Sequence, residues 1–348
     1  MSTRRATIAD VAREAGVAAS TASVVFSGKT AVSEATRRRV LDAAASLGYT
    51  GPDPRAASLR RGRSGIVGVV FEEHLGVAFL DPVNTLMMDG LADGVAPIGA
   101  GLLLLRDDNQ GREPTLTSAP LDAAVLVGCS GRLRESLATV RGRGIPVVVI
   151  EGDAGEGVPR IELDNREAQR QMASHLRSLG HERVVALTLP RDARRLPGWY
   201  AEEDELGIDV TRDRLAGFRD VFPEAPAYAA GASSIDDGLA AGRIVFADPE
   251  RRPTAVVAQS DLLAAGAIRA AEEAGLRVPA DVSVTGFDGI SVDGLAPYTL
   301  TTMVQPAADK GRAAGEAVAA MIAGRDAASI RFTCRFREGN TAGPAPVA

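Results

Sequence analysis

Cysteines, aromatic residues and long apolar runs are all scarce in this chain of 348 residues. Its two cysteines, Cys129 and Cys334, are far apart and belong to no Cys-x-x-Cys or Cys/His cluster, which argues against a disulfide framework and a zinc site. We therefore expect buried free thiols, no metal and no cofactor. Apolar runs of about 18 residues are absent, and none follows the basic start, so neither a membrane span nor a secretory signal is predicted. This favours a cytoplasmic protein.

The composition that remains is that of a globular α/β protein. Hydrophobic residues make up 45% of the chain and charged residues 24%, while aromatics contribute only 4%. Small residues, including 37 glycines, suit the packing of helices on buried strands. At roughly 150 residues per domain, the length predicts about two domains.

Charge is distributed unevenly along the chain. Residues 1–65 contain 11 Arg or Lys and 5 Asp or Glu, whereas the remainder contains 28 basic and 40 acidic residues. A basic head on an acidic body is expected when a small module binds a polyanion. A basic face that is merely solvated would give the same pattern, so charge alone does not distinguish the two interpretations and a sequence motif is needed.

The first 50 residues contain such a motif. Thr7 and Asp10 form the pattern of a capping box at the start of a helix that Gly16 ends. A second short helix is predicted over 19–26, with Ala22, Val25 and Phe26 facing the first. Ser33 caps a third helix, for which we predict a buried stripe of Val40, Leu41, Ala44 and Leu47. Helix, tight turn and helix form a DNA-binding helix-turn-helix, whose second helix enters the major groove.

Several short segments of this head resemble the lactose-repressor (LacI/GalR) family of transcription regulators. They are Thr7–Ala12, Ala15–Val17, Ser20–Ser23, Val32–Arg37 and Leu47–Tyr49. The resemblance and the residue types imply eight DNA-contacting positions, namely Thr7, Ala19, Ser20, Thr21, Ser23, Val24, Lys29 and Arg37. Ala19 can supply a methyl contact to thymine and Ser20 a hydroxyl contact, whereas Val24 stands where the family often has arginine. Few bidentate base contacts are therefore expected, and specificity would rest partly on DNA deformability.

Residues 51–63 resemble the hinge helix of the same family, which folds on operator DNA. Arg55, Ala56 and Leu59 are the implied DNA contacts, with Leu59 as an apolar wedge between base steps in the minor groove. A plain linker, with Leu59 resting on the body, is the alternative.

From Ser64 onward, short apolar runs alternate with helical patterns. We predict strands over 66–71, 101–105, 123–127, 145–150, 183–188, 254–258 and 282–286. The helices between them are predicted over 82–96, 132–142, 165–179, 212–222, 235–247 and 261–274. Two doubly wound parallel sheets with a ligand-binding cleft between them follow from this order.

The body also resembles the periplasmic-binding-protein-like effector domain of the family. The resemblance implies a body over 64–348, in which one subdomain takes about 64–162 and 293–325 and the other about 163–292 and 326–348. The chain would cross between them near 162–165, 287–293 and 324–330.

Five residues are the candidate effector ligands. Asp261 and Arg214 match the acidic residue and the arginine of the family's cleft, although Asp261 could simply cap a helix and Arg214 could form a surface ion pair. Asp288 either contacts the ligand or orders a turn. Asp81 matches a usual asparagine, but Val83 and Asn84 replace the aromatic residues that follow it in the family. Trp199 could supply the missing stacking surface or lie in a solvated loop.

These patterns favour a DNA-binding regulator over other classes. The sequence contains no GxGxxG after its first strand, no Walker loop, no GxSxG and no HExxH, so an enzyme is not expected. A periplasmic-type solute-binding protein or sensor is the alternative, but it leaves the head unexplained. We expect a homodimeric repressor that binds a near-palindromic operator and is controlled by a small, carbohydrate-related effector.

Overall fold

The computed structural model describes residues 6–27, 31–51, 62–71, 75–106, 116–128, 132–201 and 205–346. Four predicted DNA contacts, Lys29, Arg55, Ala56 and Leu59, lie outside these residues, as does most of the predicted hinge. The chain divides into two compact units, Met1–Gly65 and Ile66–Ala348.

The first unit contains three helices, α1 (Ile8–Glu14), α2 (Ala19–Ser27) and α3 (Glu34–Ser46). The predicted capping box is present, because the backbone amide of Asp10 donates to the Thr7 hydroxyl and the backbone amide of Thr7 donates to the Asp10 carboxylate. Gly16 follows α1 with a φ of +61°, a conformation that glycine adopts without strain. The helix-turn-helix predicted from the sequence is therefore formed.

A small apolar core holds these helices together. Its buried members are Val11, Ala12, Ala15, Ala22, Val25, Val40, Ala43 and Ala44. The predicted stripe of α3 was half wrong, because Leu41 and Leu47 are exposed and Ala43 is buried instead. Val40, Ala43 and Ala44 follow the i, i+3, i+4 spacing of one helix face, whereas Leu41 lies a quarter-turn away from it.

The second unit alternates helices and strands. Its helices are α4 (Leu75–Ala78), α5 (Pro82–Val95), α6 (Leu133–Gly142), α7 (Asn165–Ser178), α8 (Asp209–Arg219), α9 (Ile235–Val245), α10 (Asp261–Glu273) and α11 (Ala307–Ile322). Its strands are β1 (Ile66–Phe71), β2 (Gly101–Arg106), β3 (Ala123–Val127), β4 (Val147–Ile150), β5 (Arg160–Leu163), β6 (Val184–Thr188), β7 (Gly198–Trp199), β8 (Ala227–Ala229), β9 (Ala255–Ala258), β10 (Ser283–Asp288), β11 (Thr301–Val304), β12 (Ile330–Phe332) and β13 (Arg335–Arg337). Two 3₁₀ turns, Ala96–Ile98 and Pro249–Arg251, follow α5 and α9.

The strands form two sheets, which confirms the predicted α/β architecture. A six-stranded parallel sheet has the order β12-β5-β4-β3-β1-β2. A seven-stranded sheet has the order β13-β11-β10-β9-β6-β8-β7, and only its outermost strands, β13 and β7, are antiparallel to their neighbours. We call the six-stranded sheet with α5, α6 and α11 the first lobe, and the seven-stranded sheet with α7, α8, α9 and α10 the second lobe.

The chain crosses between the lobes three times, but two of the crossings are not where the sequence predicted them. The first, between β5 and α7, agrees with the prediction near 162–165. The second follows Val304, because β11 pairs with β10 in the second lobe and only α11 returns to the first. The third lies between β12 and β13, since β12 pairs with β5. The crossings predicted near 287–293 and 324–330 were therefore placed too early.

Two helices of the first lobe, α5 and α11, pack against each other with almost no side chain between them. A Cβ atom on Gly90 would lie 1.9 Å from the carbonyl oxygen of Ala308, and one on Gly311 would lie 1.9 Å from that of Met87. Glycine at both positions allows the helix backbones to touch. No helix of the described residues is long and apolar enough to cross a membrane.

Candidate functional site

The recognition helix α2 exposes its first residues. Ala19 and Ser20 are exposed, whereas Thr21, Ser23 and Val24 are half-buried. The helix Ala19–Ser27 contains no charged residue, so it offers methyl and hydroxyl groups to a binding partner. Most of the positive charge on the described part of this unit comes from α3, where Arg37, Arg38 and Arg39 are exposed. Arg13 on α1 and Arg63 add to it.

Thr7 has a structural role at the start of α1. Its hydroxyl accepts the backbone amide of Asp10 and donates to the Asp10 carboxylate at 2.7 Å. A DNA contact by Thr7 stays a prediction, as do those of Ala19, Ser20, Thr21, Ser23, Val24 and Arg37.

In the second unit, a cavity of about 140 Å³ lies between the two lobes. The carboxyl ends of strands from both sheets reach its lining, as expected for open parallel sheets. From the first lobe come Phe71, Val127 and Glu151, and from the second come Asp288 and Pro190. Three of the predicted effector ligands, Asp81, Arg214 and Asp288, belong to this lining.

Arg214 on α8 is 2% exposed and is held by several partners. Its Nε donates to the side-chain oxygen of Asn165 at 2.8 Å, and its Nη1 donates to the backbone carbonyl of Gln259 at 2.5 Å. The guanidinium carbon lies 3.6 Å from the ring centroid of Phe287, a cation–π contact. Within the described residues, no hydrogen bond engages Nη2. The alternative of a surface ion pair is therefore wrong, and the N–H groups of Nη2 remain for a ligand.

Asp288 ends β10 with a φ of +116°, a left-handed conformation that aspartate tolerates better than most residues. Its Oδ1 accepts the side-chain amide of Gln305 at 2.6 Å and lies 3.7 Å from Nη1 of Arg214. Burial raises the pKa of Asp288 well above its ordinary value; Arg214 opposes this rise, and the nearby carboxylates of Asp81 and Asp261 add to it.

A buried ion pair that the sequence analysis did not single out lies in the same cavity. Nζ of Lys310, on α11, lies 3.0 Å from Oε1 of Glu151, which follows β4, and donates to the side-chain oxygen of Gln305 at 2.5 Å. Only 1% of the Lys310 side chain and 8% of the Glu151 side chain are exposed. Burial alone would raise the pKa of Glu151, but the positive charges of Lys310 and Arg214 outweigh it and hold that pKa below its ordinary value.

Asp81 occupies the N-cap of α5. Its Oδ1 accepts the backbone amide of Val83 at 2.9 Å, which satisfies one of the free amides at the start of the helix. Burial raises the pKa of Asp81, although this hydrogen bond and the hydroxyl of Ser233 oppose the rise. Asp81 thus caps a first-lobe helix and faces second-lobe residues in the cavity.

Asp261 lies behind the cavity and not in its lining. It is fully buried at the start of α10, where its carboxylate accepts the Thr302 hydroxyl at 2.6 Å and the backbone amide of Ile290 at 2.8 Å. A Cβ atom on Gly286 would lie 2.1 Å from Oδ1 of Asp261, so glycine in β10 makes room for this carboxylate. The helix cap is the neighbouring Ser260, whose hydroxyl accepts the backbone amide of Leu263. In this structure, Asp261 therefore fixes the turn that follows Asp288.

Trp199 does not reach the cavity either. It lies on β7, 45% exposed, with its ring in an edge contact with Tyr228 at 5.2 Å. The aromatic residue in the lining is Phe71, at the end of β1, which packs against Phe79 at 5.8 Å.

Two signals in the sequence could have revealed the missed residues. Glu151 directly follows a buried strand, where ligands of parallel sheets bind. Lys310 stands in the buried stripe of an Ala- and Gly-rich helix, and it is one of only two lysines in a chain with 37 arginines. A lysine among apolar neighbours at helical spacing indicates a buried charge, which requires a partner.

Both the head and the body of the chain match known protein families. The family described as bacterial regulatory proteins, lacI family, matches residues 7–51, and the periplasmic binding protein-like domain matches residues 173–338. The HTH-type transcriptional regulator Rv3575c of Mycobacterium tuberculosis is 34% identical over 327 residues, 90% of each chain. IpsA of Corynebacterium glutamicum, also an HTH-type transcriptional regulator, is 31% identical over 339 residues, 91% of each chain.

Solved structures share the whole architecture. The lac repressor dimer bound to operator and the anti-inducer ONPF superposes with a TM-score of 0.78 at 22% identity, covering 98% of this chain and 100% of that one. The complex of the transcriptional regulator CelR with cellobiose superposes with a TM-score of 0.66 at 24% identity, covering 97% of this chain and 100% of that one. With the helix-turn-helix formed and relatives above 30% identity along nine-tenths of its length, the chain belongs to the lacI family of bacterial regulatory proteins and is a DNA-binding transcriptional regulator.

Proposed function

We propose that this regulator is a repressor that acts as a homodimer. One helix-turn-helix contacts only half of a palindromic site, so two heads related by a two-fold axis are needed to bind a near-palindromic operator. The lac repressor structure, described as a dimer on its operator, supports this assembly by its similar fold. A repressor of this kind acts where the DNA is, in the cytoplasm.

A small polar ligand in the body would control operator binding. The observation that carries this proposal is the position of the cavity, since its lining comes from both lobes and any ligand in it contacts both. A ligand that fits one arrangement of the lobes better than another shifts the population toward that arrangement. Asp81, Arg214 and Asp288 would bind it together with Lys310, Glu151 and Gln305, while Asp261 would position the turn after Asp288.

The dimensions of the cavity favour a small ligand. A volume of about 140 Å³ is below the roughly 300–1,000 Å³ of pockets for drug-sized molecules. Charged and amide groups face the apolar surface of Phe71 and Met87, an arrangement suited to a compact molecule with several polar groups. CelR was solved with cellobiose, which supports a carbohydrate-related ligand for the present cavity.

Selection of bound fragments from the source genome by the purified full-length protein tests the regulator. We expect recovery of a near-palindromic sequence at moderate salt, with affinity that falls as salt rises because phosphate contacts release counterions. Arg37→Ala should weaken binding, whereas Arg335→Ala, which removes an exposed arginine of the body, should not. Sequence-independent binding, or equal effects of both variants, would contradict the proposal.

Titration of small molecules into the protein–operator complex then tests the control. A ligand that releases the operator is an inducer, and one that tightens binding is a corepressor; either result supports coupling between cavity and head. If a ligand shown to bind at the cavity leaves operator affinity unchanged, the coupling is refuted.

A further inference from the structure

The cavity lining contains three acidic and three basic side chains, which are not equally open to a ligand. Six ionisable residues line it, namely Asp81, Glu151, Asp288, Arg195, Arg214 and Lys310. Two of them neutralise each other, because Lys310 and Glu151 form a buried pair at 3.0 Å. Arg195 is only half-buried, so solvent screens its charge more than that of the two buried cations.

The two aspartates of the lining are poorly compensated. No cationic group among the described residues lies within 4.0 Å of the Asp81 carboxylate. Asp288 has only the loose contact with Arg214 at 3.7 Å, and two of the Arg214 nitrogens already donate to Asn165 and Gln259. Within the described part of the chain, Oδ2 of Asp288 accepts no hydrogen bond. An acceptor oxygen of an acidic side chain is therefore available in the cavity.

Neither aspartate needs its charge for the fold. Asp81 caps α5 through one oxygen, and asparagine caps a helix equally well. Asp288 adopts a positive φ, which asparagine also tolerates, and it accepts one hydrogen bond from Gln305. Burial raises the pKa of both groups although Arg214 opposes the rise, so the empty cavity disfavours their charged form, which a bound cation would favour. Negative charge on these two carboxylates destabilises the empty cavity, but it would stabilise a bound cation.

We propose that the effector of this regulator carries a protonated amine, which binds against the carboxylates of Asp81 and Asp288. The proposal rests on the proposed function, since it concerns the ligand of the same cavity, and it adds the charge class of that ligand. An ammonium group donates three hydrogen bonds, and charge-assisted hydrogen bonds are roughly twice as strong as neutral ones. The unengaged Nη2 of Arg214 is then available to a hydroxyl of the same molecule. The effector class is a small polyhydroxylated amine.

Matched pairs of probes separate charge from shape. Tris(hydroxymethyl)aminomethane and pentaerythritol differ by one ammonium and one hydroxymethyl group, and glucosamine, galactosamine and mannosamine pair with their parent sugars. Binding to the full-length protein is measured by calorimetry and by thermal shift at neutral pH, with sodium chloride at equal ionic strength as the salt control. In at least one pair we expect the amine to bind about tenfold tighter than its neutral partner, since one charge-assisted contact adds on the order of that factor.

Two variants locate the effect. Asp81→Asn and Asp288→Asn each keep the size and the local hydrogen bond of the side chain, and each should reduce the preference for the amine to about threefold or less. Asp89→Asn removes the same charge from an exposed position of α5 and should leave the preference unchanged.

Equal or tighter binding of the neutral partners would overturn the proposal. So would a shift reproduced by sodium chloride, a preference that survives both cavity variants, or the absence of binding by every amine tested. None of these results bears on whether the protein recovers an operator from genomic DNA, so failure of the charge assignment is distinguishable from failure of the proposed function.

Discussion

The buried pair between Lys310 and Glu151 allows a sharp prediction about the stability of the body. Lys310→Met keeps the length of the side chain and removes its charge. Glu151 then remains in a nearly dry site without its closest cation, and the side-chain oxygen of Gln305 loses a donor at 2.5 Å. The variant should be strongly destabilised, because an unpaired buried charge retains the full cost of its lost hydration.

The magnitude follows from the burial of both partners. Breaking a buried ion pair by removing one member typically costs about 3–5 kcal/mol. For a unit of this size, each kcal/mol lowers the melting temperature by roughly 2–4 °C, so the drop should be about 6–20 °C. The exposed pair between Arg243 and Glu273, with nitrogen and oxygen 2.7 Å apart, provides the matched control. Arg243→Met should lower the melting temperature far less than Lys310→Met does, since water screens that contact.

Urea denaturation of the full-length protein, followed by tryptophan fluorescence and circular dichroism, measures these differences. The cost of Lys310→Met should shrink as the pH is lowered toward 4, because Glu151 becomes protonated and no longer needs a partner. In the wild type its pKa is lowered, so the stabilisation from the pair is present above the ordinary glutamate pKa and is lost as pH falls. The double variant Lys310→Met/Glu151→Gln should recover at least half of the loss. A cost below about 1 kcal/mol for Lys310→Met, or one independent of pH, would refute this reasoning.

Three further outcomes are expected. Burial raises the pKa of Asp261 to about 7, so the folded state holds a proton that the unfolded state releases. This group alone should lower the free energy of unfolding by up to about 4 kcal/mol from pH 4 to pH 7, and Asp261→Asn should make the pH dependence shallower in urea titrations. Leu59→Ala, outside the described residues, should weaken operator binding in a mobility-shift assay without changing the melting temperature of the body. Thr7→Ala should cost about 1 kcal/mol of helix stability in the head, seen as a loss of ellipticity on warming, and an unchanged melting curve would contradict the role of its capping box.

The fold was predictable from the sequence because its signals are local. Apolar runs such as Ile66–Phe71 and Ala123–Val127 predicted buried strands that the structure contains. The helix predicted over 212–222 begins earlier, at Asp209, and Ile208 precedes it without a side-chain hydrogen bond to cap it. The short strands β5, β7, β8, β11, β12 and β13 were not predicted, because segments of two to four residues offer little or no period to detect. The helices α4 and α11 were not predicted either.

The crossings between lobes could not be placed from local patterns. Thr301–Val304 is a plausible strand in either sheet, and only its pairing with β10 assigns it to the second lobe. Which strands pair depends on the packing of the whole sheet, and local sequence patterns do not contain this information. The same limit explains Asp261, whose match to the acidic residue of the family's cleft suggested a ligand contact, although its carboxylate accepts hydrogen bonds from Thr302 and from the backbone amide of Ile290.

A series of hydrogen-bonded side chains lies in the cavity and connects the two lobes. On α11 of the first lobe, Lys310 donates to Gln305, and Gln305 donates to Asp288 on β10 of the second lobe. A ligand that engages Asp288 or Gln305 competes with this connection, so its binding energy depends on how the lobes are arranged. Linkage then requires reciprocity: if such a ligand lowers operator affinity by some factor, operator DNA must lower the affinity for the ligand by the same factor. Ligand binding and the arrangement of the lobes are therefore coupled through the buried side-chain amide of Gln305.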